Sequence, residues 1–336
     1  MKVSELGEFA LIDRLARSLG GQAAGRLAIG IGDDAAVWRA EGGALIATTD
    51  TLVAGVHFLP ERTPWRDLGW KALAVNVSDV AAMGGTPELA LVTLGVPPET
   101  EVARVDELYQ GLAEAGEAFG AVIAGGDIVR APVFFVSVTL MGRAEVDAAG
   151  EPLVLRRDAA QAGDLVAVTG SLGGAAGGLI ALRDGGLDDS TASALIERHL
   201  RPQPRLRAGQ AALRAGLRCA IDVSDGLIQD LGHVCRASGL GAVVRSDALP
   251  IDPALAAAFA PEEALGLATA GGEDYELVLV GAPEKIEAAG RDSDVPLTVI
   301  GEMVAAERHE AKLLDGSGRE IALPTQGWDH LRPSIA

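Results

Sequence analysis

The sequence predicts a two-domain α/β protein, and three observations carry that expectation. Hydrophobic residues make up 49% of the 336 residues and charged residues only 22%, enough apolar surface for substantial cores. Short apolar runs that read as strands alternate with helical patterns in both halves, as in α/β layers. Between the halves lies Ala144 to Pro152, containing Asp147 and Gly150, which reads as a hairpin tip or a domain boundary. The expected division is 1–145 and 146–336.

Taken in order, Ser4 caps a predicted first helix whose Leu6, Phe9, Ile12, Leu15, Ala16 and Leu19 recur at helical spacing, ending at Gly20-Gly21. Leu45 to Thr49 reads as a strand ending at Asp50. Trp65 to Met83 reads as a long helix stopped by Gly84-Gly85, with Pro87 just beyond. Asn76 and Asp79 share a face near its C-terminal end, where the helix dipole disfavours a carboxylate and so suggests a metal. Leu89 to Val96 and Val133 to Met141 read as strands and Val102 to Phe119 as a helix between them. Ala121 to Ala124 is a short strand running into Gly125-Gly126-Asp127. In the second half, Leu165 to Thr169 leads into Gly170-Ser171-Leu172-Gly173-Gly174 and an alanine-rich helix. That turn is either a phosphate cradle or close packing of helix on sheet. Further helices precede Ala220-Ile221-Asp222, the amphipathic helix Leu227 to Ala237, and a strand Tyr275 to Val280.

Aspartates recur beside glycines and hydroxyl residues: Gly32-Asp33-Asp34, Thr48-Thr49-Asp50, Asn76-Val77-Ser78-Asp79, Gly125-Gly126-Asp127 and Asp222-Val223-Ser224-Asp225-Gly226. If the fold gathers them they need cations, because two carboxylates about 4 Å apart repel by roughly 4 kcal/mol at an effective dielectric near 20. Hard oxygens without a Cys or His cluster select magnesium, manganese or calcium over zinc, and magnesium with phosphates leads. No Gly-x-x-x-x-Gly-Lys-Ser/Thr run is present, and no Gly-x-Gly-x-x-Gly convincingly opens a dinucleotide fold. Each aspartate alone reads more often as a cap or turn residue than as a ligand.

The formal charge of −19 argues against general affinity for nucleic acid or anionic membrane. The N-terminus lacks a secretory signal, and no stretch reads as a membrane span, so a cytoplasmic protein is expected. Cys219 and Cys235 sit in apolar segments and read as buried free thiols.

Together, Ile31-Gly32-Asp33-Asp34-Ala35-Ala36, Thr48-Thr49-Asp50-Thr51-Leu52-Val53 with His57-Phe58, Asn76 to Gly84, Gly125-Gly126-Asp127, Asp222 to Leu227, Gly271-Gly272-Glu273-Asp274-Tyr275-Glu276-Leu277 and Gly327-Trp328-Asp329-His330 resemble, in order, the motifs of the thiamine-monophosphate kinases. That family belongs to the superfamily of aminoimidazole-ribonucleotide synthetase and selenophosphate synthetase. The resemblance implies an aminoimidazole-ribonucleotide-synthetase-like architecture: an N-terminal α/β domain pairing across a homodimer into a β-barrel, a C-terminal α/β domain, and ATP near their junction. It implies Mg2+-dependent direct transfer of the ATP γ-phosphoryl to thiamine phosphate, with no covalent nucleophile. Asp33, Thr48, Asp50, Asp79, Asp127, Asp222 and Asp225 would hold several magnesium ions, with Thr49 an additional participant. Tyr109, Gly126, Asp127, Arg157 and Ser224 would contact the nucleotide, and His57, Glu273 and Trp328 the thiamine phosphate. Trp328 suits stacking on a flat cation, and Glu273 offers an acceptor or negative charge.

Two positions depart from the family pattern: Ile128 follows the Gly-Gly-Asp motif in place of a hydroxyl residue, and in Arg156-Arg157-Asp158 either arginine could reach ATP. The alternatives are a sister ATP-dependent enzyme of the superfamily or a non-catalytic nucleotide- or metal-binding protein.

Overall fold

The structure, a computed structural model, describes residues 27–29, 32–40, 43–323 and 327–328. The predicted first helix lies outside them, as do Asp329 and His330. The N-terminal half runs β1 (Leu27–Ile29), β2 (Ala36–Ala40), β3 (Gly43–Val53), α1 (Trp65–Ala82), β4 (Thr86–Val96), α2 (Val102–Phe119), β5 (Val122–Arg130), β6 (Phe135–Val146) and β7 (Pro152–Leu153). Its strands form one seven-stranded sheet in the order β1-β2-β3-β6-β4-β5, with β7 beside β6. All pairs are antiparallel except β4 with β5, whose parallel alignment needs the crossover that α2 supplies.

Four strands run further than expected: β4 begins at Thr86 and β6 continues to Val146, and in β3 and β5 the pairing shows why. Strand β3 pairs with β6 from Ala44 opposite Ala144 to Val53 opposite Phe135, so Asp50 sits inside the strand. The β-branched Thr48, Thr49 and Thr51 suit that half-buried surface. Strand β5 runs through Gly125-Gly126-Asp127, because a Cβ at Gly126 would overlap the Val92 carbonyl and only glycine lets β5 lie against β4 there. Alternation along β3 aims Thr48 and Asp50 at the helix-covered face and Thr49 and Thr51 at the open one, where Thr51 Oγ1 donates to Ser137 Oγ at 2.8 Å. The stretch from Ala144 to Pro152 forms a hairpin tip: Asp147 N donates to Glu151 O, and the Asp147 side chain accepts from Ala149 N.

The C-terminal half runs β8 (Leu165–Thr169), α3 (Gly174–Asp184), α4 (Asp189–Leu200), α5 (Leu206–Arg214), β9 (Cys219–Asp222), α6 (Leu227–Ser238), β10 (Gly241–Arg245), α7 (Pro253–Ala258), α8 (Pro261–Ala270), β11 (Leu277–Gly281), α9 (Pro283–Asp292), β12 (Leu297–Val304) and β13 (Ala311–Leu314). Its six strands are ordered β13-β10-β12-β8-β11-β9, antiparallel except for β10 with β13. Strand β11 starts two residues later than predicted, since Tyr275 has a left-handed backbone at φ 50°. Both cysteines are buried free thiols, and burial pushes that of Cys235 up to about 12.

Helix α1 joins the halves. On one side it packs on its own sheet and on α2, where a Cβ on Gly69 or Gly111 would collide with the facing helix backbone. On the other side it meets α5 and β9, and Ala81 and Ala82 share a core with Leu213 and Leu277. A helix buried from Leu68 to Ser78 has no need of a polar face there, which accounts for the apolar run Leu68–Val75 that only Lys71 interrupts.

Candidate active site

The C-terminal turn of α1, the middle of β3 and the end of β9 meet at the junction of the halves, and each brings an acid. Carboxylate oxygens of Asp34, Asp79 and Asp222 all lie within 4.8 Å of one another. Thr48 Oγ1 donates to Asp79, and Ser78 Oγ donates to Asp222 Oδ2 at 2.6 Å. Asp50 adds its charge to the same group. Burial first, then the neighbouring carboxylates, push Asp79 and Asp222 well above the usual carboxylate range.

Among the described residues, the Arg157 guanidinium pairs with this group. Arg157 Nη2 lies 2.6 Å from Asp34 Oδ1 and its Nε 3.1 Å from Asp34 Oδ2. Arg156 pairs with Asp158 through its Nε and Nη2, at 2.8 and 2.6 Å. Asp33 stands beside the cluster, accepting from Arg157 N at 3.2 Å and from Asp34 N at 3.0 Å. Burial and then the Asp34 charge push it up to about 7. Sequence reasoning chose Asp33 from its motif and passed over Asp34, which carries the same signal one residue along. Hard carboxylate and hydroxyl donors, with more negative charge than one arginine offsets, fit a divalent cation of the magnesium class.

The loop after β9 is held from below by Asp230, whose Oδ2 accepts from the backbone N–H groups of Ser224, Asp225 and Gly226 at 3.0, 3.1 and 3.1 Å. Trp328, 40% exposed, is seated on this loop: its N–H donates to Asp225 O at 3.1 Å and its carbonyl accepts from Gln229. The Gly272–Tyr275 loop zips onto the same segment through Glu273 N to Ser224 O at 2.7 Å and Tyr275 N to Val223 O at 2.9 Å. Gly272, Glu273 and Tyr275 have φ of 71°, 61° and 50°. For the two non-glycine residues such a backbone costs about 1–3 kcal/mol each, so the surroundings must enforce it.

Part of that enforcement was missed by the sequence reading. Glu273 Oε1 lies 2.7 Å from Lys71 Nζ and Oε2 lies 3.2 Å from His199 Nδ1. Burial opposes the Glu273 charge, but the Lys71 ammonium and His199 overcome it and hold the carboxyl well below its ordinary value. The only sequence signal was a lysine that interrupts the apolar run from Leu68 to Val75.

Other predicted residues stand apart from the three-carboxylate group. Asp127 pairs in register with Thr93, in the row of Ser137 and Thr51, and so belongs to the open face of the sheet, opposite Asp50; Gly126 precedes it on β5. Thr49 Oγ1 donates to Val138 O at 3.0 Å on that open face. Tyr109 is half-buried against the N-terminal core from α2, and burial raises its hydroxyl. His57 Nδ1 accepts from Val53 N at 3.1 Å in the turn after β3. The glycine turn before α3 is filled by protein: Gly173 N and Ala175 N donate to the Asp274 carboxylate at 2.6 and 3.2 Å. Of the two readings of that turn, helix packing holds, and the N–H groups a phosphate would use are occupied.

Residues 32–144 match the family described as AIR synthase related protein, N-terminal domain, and residues 161–313 match its C-terminal domain. The chain is 40% identical over 340 residues to the thiamine-monophosphate kinase of Escherichia coli K12, covering 96% of this chain and 98% of that protein. The solved structure of AaThiL complexed with AMPPCP and TMP is 32% identical, with a TM-score of 0.84 over 98% of this chain and 99% of that one. The crystal structure of thiamine-monophosphate kinase from Stenotrophomonas maltophilia is 38% identical, with a TM-score of 0.75 over 94% and 98%.

Proposed function

The chain belongs to the thiamine-monophosphate kinase family, and from that premise we propose how its acidic junction serves the reaction. It is a thiamine-phosphate kinase that uses ATP as phosphoryl donor. The acceptor is already an ionised phosphate, so no base or covalent nucleophile is required, and catalysis rests on in-line alignment and charge neutralisation.

Asp33, Thr48, Asp50, Asp79, Asp127, Asp222 and Asp225 are proposed to hold magnesium, with Thr49 an additional participant, and we add Asp34 for its place among the clustered carboxylates. Magnesium, when bound, orients phosphate oxygens and offsets their charge. Arg157 is the proposed nucleotide arginine, because its guanidinium already lies among the acids while Arg156 is engaged elsewhere. Tyr109, Gly126, Asp127 and Ser224 complete the nucleotide side. His57, Glu273 and Trp328 serve the acceptor, supported by the seating of Trp328 and of the Glu273 loop on the Asp222–Gly226 segment.

A homodimer is proposed through the open face of the N-terminal sheet. Leu89, Leu91, Val122 and Val129 there are 42%, 42%, 62% and 42% exposed, an apolar surface that a second copy would cover to complete a barrel. Asp127 lies on that face, so its metal role is proposed to depend on the pairing. The proposed functional division is 1–145 and 146–336, with Pro152–Leu153 of the second part returning to pair with the N-terminal sheet, in a cytoplasmic enzyme. Among the described residues no helix is long and apolar enough to cross a membrane.

The observation that carries the reading is the convergence of Asp34, Asp79 and Asp222 with Arg157 where the two halves meet. The test is incubation with ATP, magnesium and thiamine phosphate. Thiamine diphosphate and ADP are expected in equal amounts, and ADP formed without thiamine diphosphate would overturn the acceptor assignment.

A further inference from the structure

Helix α1 reaches the C-terminal half through two polar side chains on one face. Lys71 and Ser78 are two helical turns apart, so they project from the same side about 10 Å from each other along the axis. Ser78 holds Asp222, and Lys71 Nζ meets Glu273. The segments that receive them are joined by Glu273 N to Ser224 O, Tyr275 N to Val223 O and Val223 N to Glu276 O. One rigid helix therefore sets the height of both loops against the acid cluster, whose Asp79 it also carries.

Lys71 is only 2% exposed. Among the described residues its ammonium has the Glu273 carboxylate as ion-pair partner and no well-aligned hydrogen bond, and His199 Nδ1 is in the same condition. An apolar side chain of that length would fill the place without desolvating a charge. The ammonium therefore contributes through what it holds: a glutamate in a left-handed backbone, fixed through both carboxylate oxygens from two different helices.

The geometry points to Lys71, backed by His199, as a positioning residue for the acceptor side of the site. Resting on the thiamine-phosphate kinase reading, it fixes the Glu273 carboxylate and its loop so that Glu273 meets thiamine phosphate as an oriented hydrogen-bond acceptor. Glu273 is then no free counter-charge for the thiamine cation, since Lys71 already compensates it.

Lys71→Met keeps the length and removes the charge. The KM for thiamine phosphate is expected to rise at least tenfold while that for ATP stays within about twofold. Equal shifts in both, or none, overturn the assignment. Should Lys71→Met fail to fold, His199 carries the same comparison: His199→Ala is expected to raise the thiamine phosphate KM selectively, and His199→Asn, whose amide nitrogen replaces Nδ1, to restore it. Equal behaviour of these two variants counts against the proposal. A second readout uses no substrate. Amide exchange of residues 271–276 is expected to be at least tenfold faster in Lys71→Met or His199→Ala than in the parent, with β8 unchanged, and parental exchange in that loop overturns the proposal. A parent protein that makes no thiamine diphosphate would defeat the kinase reading and leave this exchange comparison intact, so the two failures are distinguishable.

Discussion

Asp222 is buried against Asp34 and near Asp50 and Asp79, and among the described residues Arg157 is the arginine that offsets their charge. Replacing Asp222 or Asp79 by Asn therefore removes repulsion in the metal-free protein along with a proposed magnesium ligand. Turnover is expected to fall by orders of magnitude while the urea midpoint without metal holds or rises, checked by steady-state assay and denaturation side by side. Glu273→Gln behaves oppositely. It leaves the Lys71 ammonium buried without a counter-charge, so the protein is expected to lose about 3–5 kcal/mol, read from the same urea curves, and a parental midpoint would contradict the ion pair. That Asp79 and Asp222 would come together was legible because hydroxyl and glycine neighbours mark them locally. Which of Asp33 and Asp34 faces the cluster depends on the backbone turn between them and on Arg157, far along the chain. Lys71 and His199 were illegible for the same reason: each gains its meaning from Glu273, and no local pattern announces a partner that distant.

Among the elements, α3 begins over a carboxylate that burial pushes up to about 7, although two backbone N–H groups favour its charge. A raised folded-state value means Asp274 contributes stability in full below pH about 4 and loses it as pH rises toward 7. The stability of Asp274→Asn minus that of the parent is therefore expected to increase between pH 4 and 7, by an amount on the order of a few kcal/mol, measured by denaturation across that range. A flat difference would show that Asp274 is ionised throughout. The contact of α1 with α2 gives another test. Gly111→Ala places a methyl inside the Arg66 carbonyl, and separating two helices that closely packed is expected to cost about 1–3 kcal/mol or more, seen as a lowered urea midpoint. Helices α1 and α2 were legible nearly to the residue because glycine and proline punctuate them. Strands β3 and β5 were read too short, since Asp50 and Gly125-Gly126 look like strand ends until the partner strands that extend pairing past them are known.

For the whole molecule, the open sheet face is the feature with most to test. Leu91→Arg puts a charge at its middle, and the sedimenting species is expected to change from dimer to monomer with loss of activity, while a parent that sediments as a monomer would remove the proposed barrel. The α/β layering of both halves was legible from alternating elements, but the way the halves join was not, because it runs through a helix whose sequence shows no stripe to say which side faces which sheet. That helix also orders events during synthesis. Its Ala81 and Ala82 are completed by Leu213 and Leu277, and its Ser78 and Lys71 by Asp222 and Glu273, all of which leave the ribosome much later. At about 5–20 residues per second the nascent N-terminal half waits roughly ten seconds or more with this surface bare. During that interval it is a natural client for a holding chaperone, and the N-terminal half expressed alone inherits the same sticky surface permanently.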